Sequence, residues 1–253
     1  MALALVADRS RFMSLEGKTI LITGAGVRVG RSLALACARH GADVALHYGR
    51  SQAEAERTAE AIRQMGRQAH LLQADLNDAA QAEAVIERAL AFGKLDALIN
   101  NASIFENLDW QTTRLEDWNR HLMINLTAPF LLSRAFARSL LPNRQGRIIN
   151  LLDWRALRPG ADHLPYTISK VALAGLTRSL AQAFAPHIQV NGVALGAILP
   201  PADGGDLSAA IRDVPAGRWA ELSEVDQTVL FLLTGPAYIT GEILHVDGGR
   251  HLV

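Results

Sequence analysis

The chain has 253 residues, 49% of them apolar, and its 25 basic and 25 acidic side chains cancel. That is ample for one well-buried α/β domain, and the balanced charge gives no reason to expect a nucleic-acid or anionic-membrane partner. A single cysteine, Cys37, excludes an intrachain disulfide and suits a reducing, cytoplasmic setting, while the eight His show no HExxH or other close ligand spacing, so no metal site is expected.

In chain order, residues 1–14 (MALALVADRSRFMS) are mildly apolar but lack a basic start and a clear cleavage site. They read as a loose N-terminal extension to a single domain over 15–253. No stretch approaches the roughly 20 apolar residues of a membrane span. KTILIT, Lys18 to Thr23, is a short β-branched run that reads as a buried parallel strand. The glycine-bearing TGAGVRVG follows, with Gly24, Gly26 and Gly30, and then a helical pattern from Val29 to His40 with Gly41 as C-cap. Strand, glycine turn and helix in succession cradle a pyrophosphate at a helix N-terminus.

DVALHY, Asp43 to Tyr48, is the second strand, and it ends in HYGRS with no acid. An acid there would bond the ribose hydroxyls of NAD, whereas Arg50 and Ser51 suit the additional phosphate of NADP. Ser51 also stands where it can cap the next helix, Ser51 to Gln64. QAHLLQA is the third strand, followed by Asp75, which either bonds an adenine amino group or caps the helix that starts near Asp78. KLDALIN, the fourth strand, delivers Asn100 and Asn101 to its C-terminal end. Leu115 to Leu141 is largely helical, with Asn125 as an unfavourable interior residue and Pro129 as a source of distortion. Asn125 is either solvated or turns its carbonyl toward a water near the site.

GRIINLL is the fifth strand and runs into Asp153; Tyr166 to Ala185 is the sixth helix; HIQVNGVAL is the sixth strand. Pro200 to Gly217 has no clear period and reads as a mobile loop over a site. SEVDQTVLFLLTG is a helix with Ser223 as cap and Asp226 as capping-box acid, and a last strand precedes a Gly turn. The alternation gives a Rossmann-like, doubly wound parallel sheet with helices on both faces, three layers in one domain.

Tyr166 and Lys170 stand four apart, on one face of a helix and one turn from each other. A cationic Lys beside a Tyr favours the phenolate, which makes the hydroxyl a proton donor or acceptor nearer neutral pH. Asp153 stands thirteen residues before the Tyr, at the end of an apolar strand.

TGAGVRVG, NNAS, Asn125, YTISK, VNGV and VDGG, in this order over nearly the whole chain, resemble the short-chain dehydrogenase/reductase family. The resemblance implies strand order 3-2-1-4-5-6-7, a nicotinamide cofactor, a dimer or tetramer, and catalytic roles for Asn125, Tyr166 and Lys170. It implies cofactor contacts from Gly24, Gly26, Arg28, Val29, Gly30, His47, Tyr48, Arg50, Ser51, Asp75, Leu76, Asn101, Ala102, Ser103, Lys170, Gly196 and Ile198. The family usually has Gly where Arg28 stands, Ser where Asp153 stands, and a Pro-Gly followed by Thr where Leu195, Gly196 and Pro200 stand.

Arg28, Asp153, HYGRS, NNASIF and the ending DGGRHL resemble one subgroup, the pteridine reductases and bacterial dihydromonapterin reductases. That implies NADPH as cofactor and a small pterin or folate as substrate, bound by Arg28, Ser103, Phe105, Asp153 and Tyr166. Phe105 would stack on the pterin, and Arg28 would bond both pyrophosphate and substrate. A carboxylate accepts from the amino and ring N–H groups of a pterin, or relays a proton when protonated; an ionised Asp153 beside Tyr166 would oppose phenolate formation. A carbonyl or alcohol oxidoreductase of the broader family is the alternative. A non-catalytic NADPH-binding sensor would have no need of Tyr166, Lys170 and Asn125 together.

Overall fold

A computed structural model describes residues 14–140, 144–199 and 211–253. The expected N-terminal extension, apart from Ser14, and most of the expected loop from Pro200 to Gly217 lie outside the described residues.

Seven strands form one parallel sheet in the order β3-β2-β1-β4-β5-β6-β7. They are β1 Thr19–Ile22, β2 Asp43–Tyr48, β3 Ala69–Gln73, β4 Ala97–Asn100, β5 Gly146–Asp153, β6 Ile188–Leu195 and β7 Ile243–Val246. The connecting helices are α1 Arg28–Arg39, α2 Gln52–Gln64, α3 Ala79–Leu90, α4 Leu115–Leu122, α5 Ala128–Ser139, α6 Leu164–Phe184 and α7 Leu222–Thr234.

The apolar runs have no polar alternation because both faces of the sheet are covered. Successive side chains point to opposite faces: Ile20 and Ile22 enter a core with Leu33, Ile62 and Val229 of α1, α2 and α7. Leu21 and Leu98 enter the other core, with Val85, Phe136 and Leu180 of α3, α5 and α6. Phe136 is fully buried, and truncating such a side chain to Ala costs about 3–5 kcal/mol. Among the described residues no helix is long and apolar enough to cross a membrane.

The order places β1 beside β4, with β2 and β3 on one side and β5 to β7 on the other. The C-terminal edge at that reversal is where doubly wound sheets bind ligands. The elements agree with the sequence reading to within two or three residues; two local details differ. Glu221, not Ser223, is the N-cap of α7, in a reciprocal box with Glu224. Asp226 instead lies inside, where it accepts from Ser32 at 2.8 Å. Ser51 occupies the N-cap position of α2 but its side chain makes no capping bond.

Candidate active site

Three strand ends build the glycine turn. Thr23, at the end of β1, is buried, and its hydroxyl accepts from the backbone N–H groups of Asn101 and Ala102, each at 2.9 Å. Asn101 returns the contact by donating Nδ2 to the Thr23 carbonyl at 2.8 Å. Asn100 does not face the turn; it is buried and donates to Asn150 across β4 and β5. Of the two asparagines expected beside the crevice, therefore, Asn101 supports the turn and Asn100 joins an interior ladder.

His47 has the role of a brace. It is buried, its Nδ1 accepts from the Gly24 N–H at 3.2 Å, and its Nε2 meets the Ala74 carbonyl at 3.1 Å. The two partners fix the tautomer, with the proton on Nε2. Burial pulls the imidazole down to about 4, so the ring is neutral at physiological pH. Gly26 packs tightly on Ser51, since a Cβ there would come within 2.8 Å of the Ser51 Oγ. Arg28 has φ 51°, the left-handed conformation that explains why glycine is usual at this position.

The start of α1 fits a pyrophosphate: Val27 caps it without a side-chain bond and no acid lies in the first turn. Arg50 is exposed and Ser51 partly so, at the end of a β2 that carries no acid. Asp75 is exposed and accepts from Asn77, while the helix cap falls to Asp78. Tyr48, Leu76 and Ile198 are buried. Ser103 is exposed, and Val29, Ala102 and Gly196 are partly so. A Cβ on Gly196 would meet the Asp247 backbone at 2.6 Å, so this bend after β6 closes against the turn after β7.

The helical stretch containing Asn125 is interrupted by a π-turn, Met123–Thr127. Pro129 follows at the start of α5 and has no N–H to offer the Asn125 carbonyl four residues back. The Asn125 side chain is buried, not solvated. It accepts from the Ile104 N–H at 2.9 Å and donates to the Ile104 carbonyl and to Ser169, each at 3.0 Å.

Tyr166 and Lys170 lie in the first turns of α6, both buried. The Lys170 Nζ stands 5.7 Å from the Tyr166 ring centroid and donates to the Leu151 carbonyl at 2.8 Å. Burial lowers Lys170 to about 8, against the opposing charge of Asp153. The Tyr166 hydroxyl donates to Asp153 Oδ2 at 3.1 Å. The expectation that Lys170 pulls the phenol toward phenolate is not met. Burial, then the Asp153 charge, then the bond to Asp153 hold Tyr166 well above its ordinary value, with Arg155 opposing. Spacing on a helix gave proximity, but the hydroxyl turns to the carboxylate.

Phe105 is 51% exposed rather than packed in the core. Its ring stacks on His163 at 4.0 Å and meets Tyr166 edge-on at 4.7 Å. His163 caps α6 in a left-handed conformation, φ 49°, and its Nδ1 meets the Glu106 carbonyl at 2.9 Å. Three residues at this site escaped the sequence reading: Thr23, His163 and Arg155. The signal for Arg155 was its place two residues after Asp153.

A family model described as enoyl-(acyl carrier protein) reductase matches residues 24–251. The 3-oxoacyl-[acyl-carrier-protein] reductase FabG of Escherichia coli is 36% identical over 254 residues, covering 95% of this chain and all of that protein. The chain belongs to the short-chain dehydrogenase/reductase family. It shares the family's single Rossmann-like domain and is an oxidoreductase of the nicotinamide-dependent kind. The crystal structure of FolM alternative dihydrofolate reductase 1 from Brucella suis, in complex with NADP, has a TM-score of 0.87 and 33% identity, over 93% of this chain and 96% of that one. A blue fluorescent protein from a metagenomic library, in complex with NADPH, has a TM-score of 0.88 and 34% identity, over 94% of this chain and 99% of that one. The two similar structures hold NADP and NADPH, and the two similar reductases are named for different substrates.

Among the described residues no group of three or more His, Cys, Asp or Glu is arranged to hold a metal.

Proposed function

We propose that this short-chain reductase uses NADPH to reduce the C=N bond of a dihydropteridine, a dihydropterin or dihydrofolate, to the tetrahydro form. The observation that carries the reading is the carboxylate of Asp153 at 3.1 Å from the Tyr166 hydroxyl, beside the exposed ring of Phe105. A carboxylate oxygen accepts hydrogen bonds and repels the lone pairs of another acceptor. It suits a substrate that brings N–H groups to the site and disfavours a simple ketone, which brings only a carbonyl oxygen. Phe105 offers a flat apolar surface of the kind a bicyclic heteroaromatic ring stacks on.

NADPH is supported by the acid-free end of β2 with Arg50 and Ser51, and by the NADP and NADPH bound to the similar structures. Residues Gly24 to Gly30 would hold its pyrophosphate, and the bound cofactor supplies the hydride. The chain's own residues handle the proton. Tyr166, held well above its ordinary value by burial and Asp153, stays protonated at neutral pH, as a donor in the reductive direction must. Its hydroxyl gives the proton to the ring nitrogen while Asp153 keeps the substrate's N–H groups aligned. Lys170, cationic below about pH 8, stabilises the oxygen as the proton leaves. The Asn125 carbonyl holds a water that returns the proton.

The second reading is reduction of a 3-oxoacyl thioester, favoured by the 36% identity to the Escherichia coli reductase. The test is NADPH oxidation with dihydromonapterin, dihydrobiopterin and dihydrofolate, run beside a 3-oxoacyl thioester and simple ketones. Turnover of a pteridine that is lost in Tyr166→Phe supports the first reading. Turnover of carbonyl compounds alone, surviving Asp153→Ala, replaces it with the second.

A further inference from the structure

Arg155 is bound to Asp153 in two ways. Its backbone N–H donates to Asp153 Oδ1 at 2.9 Å, and its guanidinium lies 3.6 Å from the same oxygen. The other carboxylate oxygen, Oδ2, takes the Tyr166 hydroxyl. The Arg155 side chain is 13% exposed and is anchored on Asp162, at 2.6 Å. Its carbon Cζ lies 4.8 Å from the Trp154 ring centroid and 5.8 Å from that of Phe105. Its Nε is buried without a hydrogen-bond partner among the described residues. A surface arginine has no reason to accept that desolvation, so the position carries a demand beyond solubility.

We propose that Arg155 is a positioning residue of this site, which fixes the Asp153 carboxylate so that one oxygen is always turned to Tyr166 and the substrate. The proposal rests on Asp153 acting at the site and deepens the reading above by naming what aims it. A carboxylate at a strand end, free about its side-chain torsions, would meet Tyr166 in one rotamer among several. Held on one oxygen by the N–H and guanidinium of Arg155, two residues on, it presents the other. The guanidinium is held in turn by Asp162 and two aromatic faces, so it is itself a fixed point. The same packing ties the aim of Asp153 to the position of Phe105.

The test is a double-mutant cycle of Arg155→Met and Asp153→Asn. kcat, KM and NADPH affinity are measured with whichever substrate the wild type reduces, pteridine or carbonyl. The expected result is a fall in kcat of about tenfold or more for Arg155→Met, as small misalignments produce, with NADPH affinity unchanged. In the Asp153→Asn background the same substitution should change kcat by less than about twofold. Arg155→Lys keeps the charge but not the fork and should recover part of the loss. Equal losses in both backgrounds, no loss in kcat, or a loss confined to NADPH affinity would each overturn the proposal. A wild type that reduces only carbonyl compounds rejects the pteridine reading while the cycle is still read on that substrate. A wild type that reduces neither leaves the same four proteins to be compared by thermal melting, where additive shifts in Tm overturn the proposal and non-additive shifts support it.

Discussion

The Tyr166 hydroxyl donates to Asp153 Oδ2 at 3.1 Å, so the proton of this site rests between a phenol and a carboxylate. On the proposed reading, this pair separates two chemistries that the surrounding fold supports equally well.

Replacing Tyr166 should abolish both chemistries, whereas replacing Asp153 should separate them. Tyr166→Phe is expected to lower kcat by about 100-fold or more on any substrate, with NADPH binding intact by fluorescence titration. Asp153→Ser should depress pteridine turnover and raise turnover of a ketone, because a hydroxyl can donate to a carbonyl oxygen. Steady-state rates on both substrate classes check this, and equal losses on both would count against the assignment.

Lys170 gives a pH dependence with a definite sign. Its folded value is about 8 against an ordinary 10.5, lowered first by burial. Below pH 8 it is charged in both states and the burial cost is present in full. Between pH 8 and 10.5 the unfolded chain binds a proton that the folded chain has released, so stability rises with pH. The span corresponds to on the order of 3 kcal/mol. Lys170→Met should therefore show its most favourable Tm, relative to wild type, below pH 8, and that difference should shrink toward pH 10.5.

His47 acts in the opposite pH range. Its folded value is about 4 against an ordinary 6.5, because burial disfavours the cation. As pH falls from 6.5 to 4 the unfolded chain takes up a proton that the folded chain refuses, and stability is lost across that window. In His47→Gln this part of the acid sensitivity should vanish, so its Tm falls less steeply than wild type between pH 6.5 and 4. NADPH affinity should also drop, since the Gly24 N–H loses its imidazole acceptor.

Gly30 admits no side chain. A Cβ there would overlap the Gly24 carbonyl oxygen and lie 2.6 Å from the Asn101 Nδ2. Gly30→Ala should lower stability by about 1–3 kcal/mol and weaken NADPH binding, read by chemical denaturation and fluorescence titration.

The fold was legible because its signals are local and repeated. Runs such as KTILIT and GRIINLL, each followed by a helix, leave few topologies open, and the structure adopts the expected one. NADPH was readable from the missing acid in HYGRS. What the sequence concealed depends on orientation. Tyr166 and Lys170 are neighbours by spacing, but whether the hydroxyl faces the ammonium or the carboxylate depends on side-chain direction and burial. Ser223 and Asp226 have capping-box spacing, yet Glu221 and Glu224 have it too, and the register was decided by Asp226 reaching Ser32 across the molecule. Arg155 has Trp154 as its chain neighbour, but only folding brings Asp162 and Phe105 around it.

The bracket made by Asn125 bears on how this scaffold could change its trade. One amide clasps the backbone of Ile104, next to Phe105, and the hydroxyl of Ser169, one position before Lys170. The segment that carries Phe105 and the helix that carries Tyr166 and Lys170 are thereby stitched through a single interior residue. A new substrate is more readily accommodated by altering the exposed Phe105 ring itself than by lengthening or re-angling the segment that carries it, because any shift of that backbone would tug on the helix bearing Tyr166. Diversification of such a pocket should run through side-chain exchange at the tips, with the stitched interior left as it is.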